Sequence, residues 1–406
     1  MLLRAPVIGL TGVVLMAVGA GLVVGHAGVW RTTLDERRGQ DFRIFLTSVR
    51  HAREGRSLYT PVHVRHRTTG APVTGPPNLN LPHTMLPLMP LAALPIGTAL
   101  AVWVGTNVLA MLTATRLALR ALAWRRVPLL AALAIVVYLL AWAPAAAFSL
   151  TAQISLLLML PVVLGWLAAR RGRSRTAGVW VGLAAAVKPF LLLFVPYWVI
   201  RRQWQALVAA MGSGGLLVLA GVVVFGAGEY VAWLRQLPEV SWAGHYLNAS
   251  WHGLVRRAFG VSDYAPVANL PGVMAPLGIA GAIAIGVVTL RVAARDTTAR
   301  LEPVARVDSD WSLLLLAALL MSPLGWSYYL WLALWPVVAV VAHAQPWRRR
   351  APRDLLLLIG LGGWLWWGRM TYWGQPHPLA TIVCASMYTW ALLALWAWVL
   401  AERSAR

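Results

Sequence analysis

Lys188 is the only lysine among 35 Lys and Arg residues, and it stands in the apolar run AAAVKPFLLLF. A cation in such a run is expensive to hold and reads first as functional. Beside Pro189, at the tip of a hairpin, an ammonium suits a phosphate; the bland reading is a lysine snorkelling to an interface. Asp41 opens a segment, Asp41 to Arg53, with Phe42, Phe45, Leu46 and Val49 at helical spacing and Arg43, Arg50 and Arg53 opposite. A carboxylate there could act as a general base toward a sugar hydroxyl, and an aspartate is equally favoured at a helix start for its backbone contacts. His245, Tyr246, Asn248, Ser250, Trp251, His252, Arg256 and Arg257 fall in one short stretch. Polar groups interleaved with aromatics could receive a sugar or a lipid headgroup, although interfacial Trp and Tyr belts have the same composition. The turn Ser322-Pro323-Leu324-Gly325-Trp326-Ser327-Tyr328-Tyr329 and Gln153 complete the set. Asp35 with Glu36 is a weak cation pair, more simply a solvated one.

These residues need a bilayer around their scaffold. Of 406 residues 59% are hydrophobic and 12% charged, with stretches long enough to cross a hydrocarbon core recurring along the chain. The expectation is an all-α, polytopic membrane protein of about twelve helices, some short or paired as hairpins, in one integral membrane domain spanning 1–406. The helices are expected at 7–29, up to 118 behind a Pro-broken piece from Leu86 to Pro95, and at 128–146, 151–169, 176–187, 189–200 and 205–226. They continue at 272–293, 310–322, 326–344, 354–369 and 379–401, with long loops at 31–83 and 227–271.

The net charge of +22 lies mostly in short loops: Arg116, Arg120, Arg125 and Arg126, then Arg170 to Arg175, then Arg348 to Arg353. That is the positive-inside pattern, not a nucleic-acid patch on a soluble module, so no nucleic-acid partner is expected. It puts Ser149, Lys188 and Ser322 to Gly325 together on the opposite, outer side, where 31–83 carries its arginines as a long loop can. The segments 176–187, 189–200 and 310–322 are about 12 residues each, roughly 18 Å, too short to cross alone. Interrupted helices of this kind are where membrane proteins place binding sites. The amphipathic helix is expected to lie on the outer leaflet. Cys384 stands alone in an apolar run, so no disulfide or cysteine metal site follows, and no strong metal-ligand spacing is present. No cofactor is expected.

Six stretches in order, QDFRIFLTSVRHAREGRSLY, PLMPLAALP, TAQIS, LAAAVKPFLLLF, NASWHGLVRR and SPLGWSYY, resemble glycosyltransferase family 87 across about residues 40–330. These are polyprenol-phosphate-sugar-dependent enzymes of the GT-C superfamily, among them α-mannosyltransferases of phosphatidylinositol mannoside synthesis. The resemblance implies Asp41 as catalytic base and Lys188 near the donor phosphate, with Arg256 or Arg257. It carries Asn248, Ser250 and Gly253 over from the family's Asn-x-Ser-x-x-Gly segment. Substrate contacts are expected from Gln153, Asn248, Ser250, His252, Trp326, Tyr328 and Tyr329, with no metal. Two positions depart from the family: Tyr328 and Tyr329 stand where histidine often follows the tryptophan, and Ala152 where glycine often precedes the glutamine.

The expected activity is inverting transfer of a sugar, mannose by resemblance, from a polyprenyl-phosphate donor to a glycolipid such as a phosphatidylinositol mannoside. The expected setting is a bacterial inner membrane, with the site on its extracytoplasmic side. Two other classes compete. A secondary transporter or lipid flippase predicts inverted repeats and ionisable groups at mid-membrane, and a lipid-binding scaffold predicts no turnover.

Overall fold

A computed structural model describes residues 40–61, 63–65, 72–74, 77–122, 142–240, 242–260, 264–295, 302–346, 351–364 and 377–405. The expected helix at 7–29, most of that at 128–146, and Asp35, Glu36 and Asp263 lie outside them. The described residues are overwhelmingly helical, with one two-stranded antiparallel hairpin that the all-α expectation omitted, His63–Arg65 (β1) paired with Pro72–Thr74 (β2).

The chain opens with α1 (Gln40–Arg53) and, beyond the β-hairpin, a 3-10 segment Pro82–Ala93 broken by Pro87 and Pro90. Next come α2 (Ile96–Ala121), α3 (Ala143–Thr151), α4 (Ser155–Arg170) and α5 (Ser174–Val187). A 3-10 turn Pro189–Leu193 leads into α6 (Phe194–Ile200), then α7 (Trp204–Phe225), α8 (Gly228–Gln236), α9 (Trp251–Phe259) and α10 (Pro271–Ala294). α11 (Pro303–Met321), a 3-10 turn Ser327–Leu332, α12 (Leu334–Ala344), α13 (Asp354–Gly363) and α14 (Met387–Ser404) complete the described chain. Among the described residues α2, α7 and α10 are long and apolar enough to cross a membrane, and Pro378–Ala385 with α14, bent by 50° where they meet, are long and apolar enough when taken together.

α7 shows how such a helix is held. Val208, Met211, Leu216, Leu219 and Val223 are exposed, as on a helix facing hydrocarbon. In lipid no hydrophobic drive joins helices, so close backbone packing between small residues does. A Cβ on Gly178 of α5 would fall 2.1 Å from the Ala206 carbonyl oxygen of α7, and one on Gly182 would fall 2.3 Å from that of Ala210. The Ser213 hydroxyl also donates across the same seam to the Val179 carbonyl at 2.9 Å.

α11 is the buried pillar, with Trp311 and every residue from Leu313 to Leu320 at 2% exposure or less. The sequence reading began this helix at 310 and judged it too short to cross; it begins seven residues earlier, at Pro303. The expected helix left Asp308 outside and began on Asp310, since unpaired acids do not belong in a buried helix, but both are paired. Asp308 accepts from the Trp166 indole at 2.9 Å and meets Arg170 at 3.2 Å and His343 at 2.9 Å. Asp310 meets Arg403 at 3.0 Å and accepts from the Tyr197 hydroxyl at 3.1 Å. The network joins α4, α6, α11, α12 and α14 where α4, α6, α12 and α14 finish. That is the end opposite Lys188.

Two other expectations change. The apolar face of α1 does not lie on lipid: Phe42, Leu46 and Val49 are fully buried, Phe42 stacks on Trp103 of α2 at 5.9 Å, and Arg50 donates to the Ala92 and Leu94 carbonyls. The expected helix at 151–169 is interrupted between α3 and α4, where Ala152 takes the left-handed conformation at φ 50.

Candidate active site

The cluster is built from the α3–α4 break outward. The Trp103 indole donates to the Ala152 carbonyl at 2.8 Å, and Asn107 accepts from the Leu157 amide at 3.0 Å, meeting one of the unpaired donors that open a helix. α2 therefore holds the break open, and Gln153 sits in it, 6% exposed. The left-handed conformation of Ala152 costs an L-residue about 1–2 kcal/mol and would cost a glycine nothing.

Gln153 joins two of the predicted residues. Its amide nitrogen donates to the Asp41 carboxylate in a short contact, and its amide oxygen accepts from the Tyr329 hydroxyl at 3.3 Å. The phenol thus sets which way the amide points. The Lys188 ammonium lies 5.1 Å from the centre of the Tyr329 ring, a cation–π contact, and donates to the Asn80 side-chain oxygen at 2.7 Å. Asn80 is itself fixed: its amide and side-chain nitrogens donate to Asn78, and its carbonyl accepts from Tyr59 at 2.6 Å. Asp41, Gln153, Tyr329 and Lys188 form one contiguous array, extended by Tyr328 against Tyr329 at 4.9 Å and Trp326 stacked on Tyr328 at 6.2 Å. Burial pushes the Asp41 carboxyl above the usual range, and the Gln153 donor and the Lys188 charge pull it back. Desolvation is the larger influence.

The other predicted residues serve the frame. Asn248 pairs by its backbone with Trp326, and its side chain donates to the Ala243 and Pro323 carbonyls at 2.8 and 3.0 Å. It fastens the second loop to the Ser-Pro turn. Ser250 caps α9 by accepting from the Gly253 amide at 3.0 Å. Arg257 is fully buried, donating to the Ser386 and Thr389 hydroxyls and to the His245 and Asn248 carbonyls. Arg256, one position earlier on the same helix, is exposed. His252 packs on α10, where a Cβ at Gly278 would fall 2.6 Å from its Nδ1, apart from the Asp41 array. Asn80, Trp103 and Asn107 were missed because isolated polar or aromatic residues in apolar runs give no periodic signal; the pairing of Asn78 with Asn80 before a proline was the available hint.

Beside Lys188, an apolar groove of about 380 Å³ runs between α5, the 189–198 stretch and α7. Gly182, Ala185, Leu192, Gly215 and Val218 line it, and His83 and Tyr230 are its titratable lining residues.

A membrane-embedded helical protein that carries a carboxylate, an ammonium and an aromatic floor at one end, next to an apolar groove, has the parts needed to process a lipid-borne substrate. The family model for glycosyltransferase family 87 matches residues 79–323, more than half of the chain, and the chain belongs to that family. No curated protein and no solved structure matches it.

Proposed function

We propose that this membrane glycosyltransferase moves mannose, with inversion, from a polyprenyl-phosphate donor to a lipid-linked glycan such as a phosphatidylinositol mannoside. Its architecture would be of the GT-C type with about twelve membrane helices, and its site would open on the extracytoplasmic side of a bacterial inner membrane. The observation that carries the reading is the convergence of Asp41 and Lys188 on the Gln153–Tyr329 pair.

Asp41 takes the proton from the acceptor hydroxyl as that oxygen attacks the anomeric carbon. The bond from the anomeric carbon to the phosphate oxygen breaks on the opposite face, and polyprenyl phosphate leaves with the electron pair. A β-linked donor gives an α-linked product. Lys188 neutralises the charge that builds on the phosphate, the kind of stabilisation that dominates catalysis in a site shielded from water. Arg257, with its donors committed to the loop, is assigned to shaping the site, which leaves Arg256 as the accessible second cation. Trp326 offers a half-buried ring for a sugar face, and the groove beside Lys188 takes the prenyl chain.

The test is turnover of polyprenyl-phosphate mannose with a phosphatidylinositol mannoside acceptor by purified protein in lipid nanodiscs. Equal turnover by wild type and Asp41→Ala would remove Asp41 as base. Absence of transfer from every polyprenyl-phosphate sugar tried would remove the donor class.

A further inference from the structure

His83 is 1% exposed at the start of the Pro82–Ala93 segment, where three other elements meet it. Its Nε2 lies 2.8 Å from the carbonyl oxygen of Ala186, two residues before Lys188 on α5. Its Nδ1 lies 2.9 Å from the Tyr230 hydroxyl of α8, and that hydroxyl lies 2.9 Å from the Val218 carbonyl oxygen of α7. The two rings run nearly parallel, 21° apart. Gly221 makes the approach possible, since a Cβ there would fall 2.5 Å from both His83 Cβ and the Tyr230 oxygen.

The protons can be counted. Both carbonyls only accept, so three hydrogen bonds need three protons, while a neutral imidazole and a phenol bring two. With Nε2–H on Ala186 and the phenol proton on Val218, Nδ1 and the Tyr230 oxygen face each other as two acceptors. Only an imidazolium completes the set. The carbonyl-rich end of α5 favours that cation, but burial outweighs it and holds His83 below the ordinary imidazole range. The third bond therefore forms on acidification.

That bond closes a loop around the site. Next to Tyr230, Glu229 accepts from the Ser57 hydroxyl and the Leu58 amide, both at 2.9 Å, on the stretch that leaves α1. α1 begins at the proposed base. The remaining charges on the packed elements are Lys188, bonded to Asn80, Arg175 at the far end of α5, and Arg235 at the end of α8; α7 has none. We infer that His83 is a positioning residue that, on protonation, ties the Lys188 turn to α8 and so tightens donor binding. The effect on donor binding rests on the transferase reading above; the protonation itself does not.

Nitrogen-15 histidine spectra of the full-length protein in nanodiscs test the proton count without any turnover, with the His83 signal assigned by its loss in His83→Gln. Nδ1 is expected to gain a proton as the pH falls below the ordinary imidazole range while Nε2 keeps its own, and Tyr230→Phe is expected to displace that uptake to lower pH. Donor KM is expected to fall roughly threefold to tenfold over the same range, the worth of one net hydrogen bond. It is expected to stay flat in His83→Gln and Tyr230→Phe, with kcat unaffected by this step. A proton-free Nδ1 down to the lowest pH overturns the count. A pH-independent KM in wild type, or a step that survives in Tyr230→Phe, overturns the positioning role; Tyr230→Phe carries that test if His83→Gln does not fold.

Discussion

Gln153→Leu separates the proposed base from its support while leaving the carboxylate in place. Burial raises the Asp41 carboxyl, and the Gln153 amide is the larger of the two influences that lower it, ahead of Lys188. Leucine keeps similar bulk and removes the donor. A hydrogen bond to an ionised group is worth about 1.5–3 kcal/mol. At roughly 1.4 kcal/mol per tenfold, the ionised fraction on the acid side of the profile falls about 10- to 100-fold. Because loss of the donor favours the protonated form, the acid limb of kcat moves to higher pH, and activity recovers as pH rises. The assay is kcat against pH for sugar transfer from the proposed donor at saturation, for wild type, Gln153→Leu and Tyr329→Phe. Tyr329→Phe keeps the ring under Lys188 but frees the Gln153 amide to flip, so its limb falls between the other two. A variant with an unmoved acid limb and a uniformly lower kcat would refute the reasoning, because Gln153 would then act on something other than the ionisation of Asp41.

Lys188→Met removes the ammonium from the Asn80–Tyr329 seat; kcat for transfer is expected to fall about 10²- to 10³-fold, the scale of a lost charge-stabilising donor, with a rise in donor KM. Gly215→Trp projects into open space beside the groove, so melting temperature should hold. Its kcat/KM should drop about tenfold or more for a long-chain donor and stay constant for a donor with one or two isoprene units. Gly178→Leu forces a Cβ against the Ala206 carbonyl, and thermal unfolding in detergent should show a loss of at least about 1–3 kcal/mol. Ala152→Gly relieves a left-handed residue worth about 1–2 kcal/mol against about 0.4–1 kcal/mol of added unfolded-state freedom, so melting temperature should rise slightly or stay level.

Much of the scaffold was legible because membrane helices advertise themselves. α2, α7 and α10 follow from apolar length, and α1 from the spacing of Phe42, Phe45, Leu46 and Val49. Lys188 was conspicuous because a charge is rare in such a run. The start of α11 was hidden, since Asp308 and Asp310 argue against a buried helix until Arg170, His343 and Arg403 arrive from three other helices. The lipid-facing placement of α1 failed for a related reason: an amphipathic period reports an apolar face but not what covers it.

Within the candidate site the division is sharper. By itself, the sequence determined that the chain is helical and apolar, and that one lysine, one early aspartate and a Ser-Pro turn are its most unusual chemistry. Order along the chain could place them near one end of the helices. Only the tertiary structure decided which residues make up the array and which frame it, because hydrogen-bond partners come from distant elements. Gln153 meets Asp41 across 112 positions and Tyr329 across 176, while Arg257, which looked like a phosphate ligand, turns inward to Ser386 and Thr389. A side chain has a fixed inventory of donors and acceptors, and the packing of remote helices determines how much of it is left for a substrate.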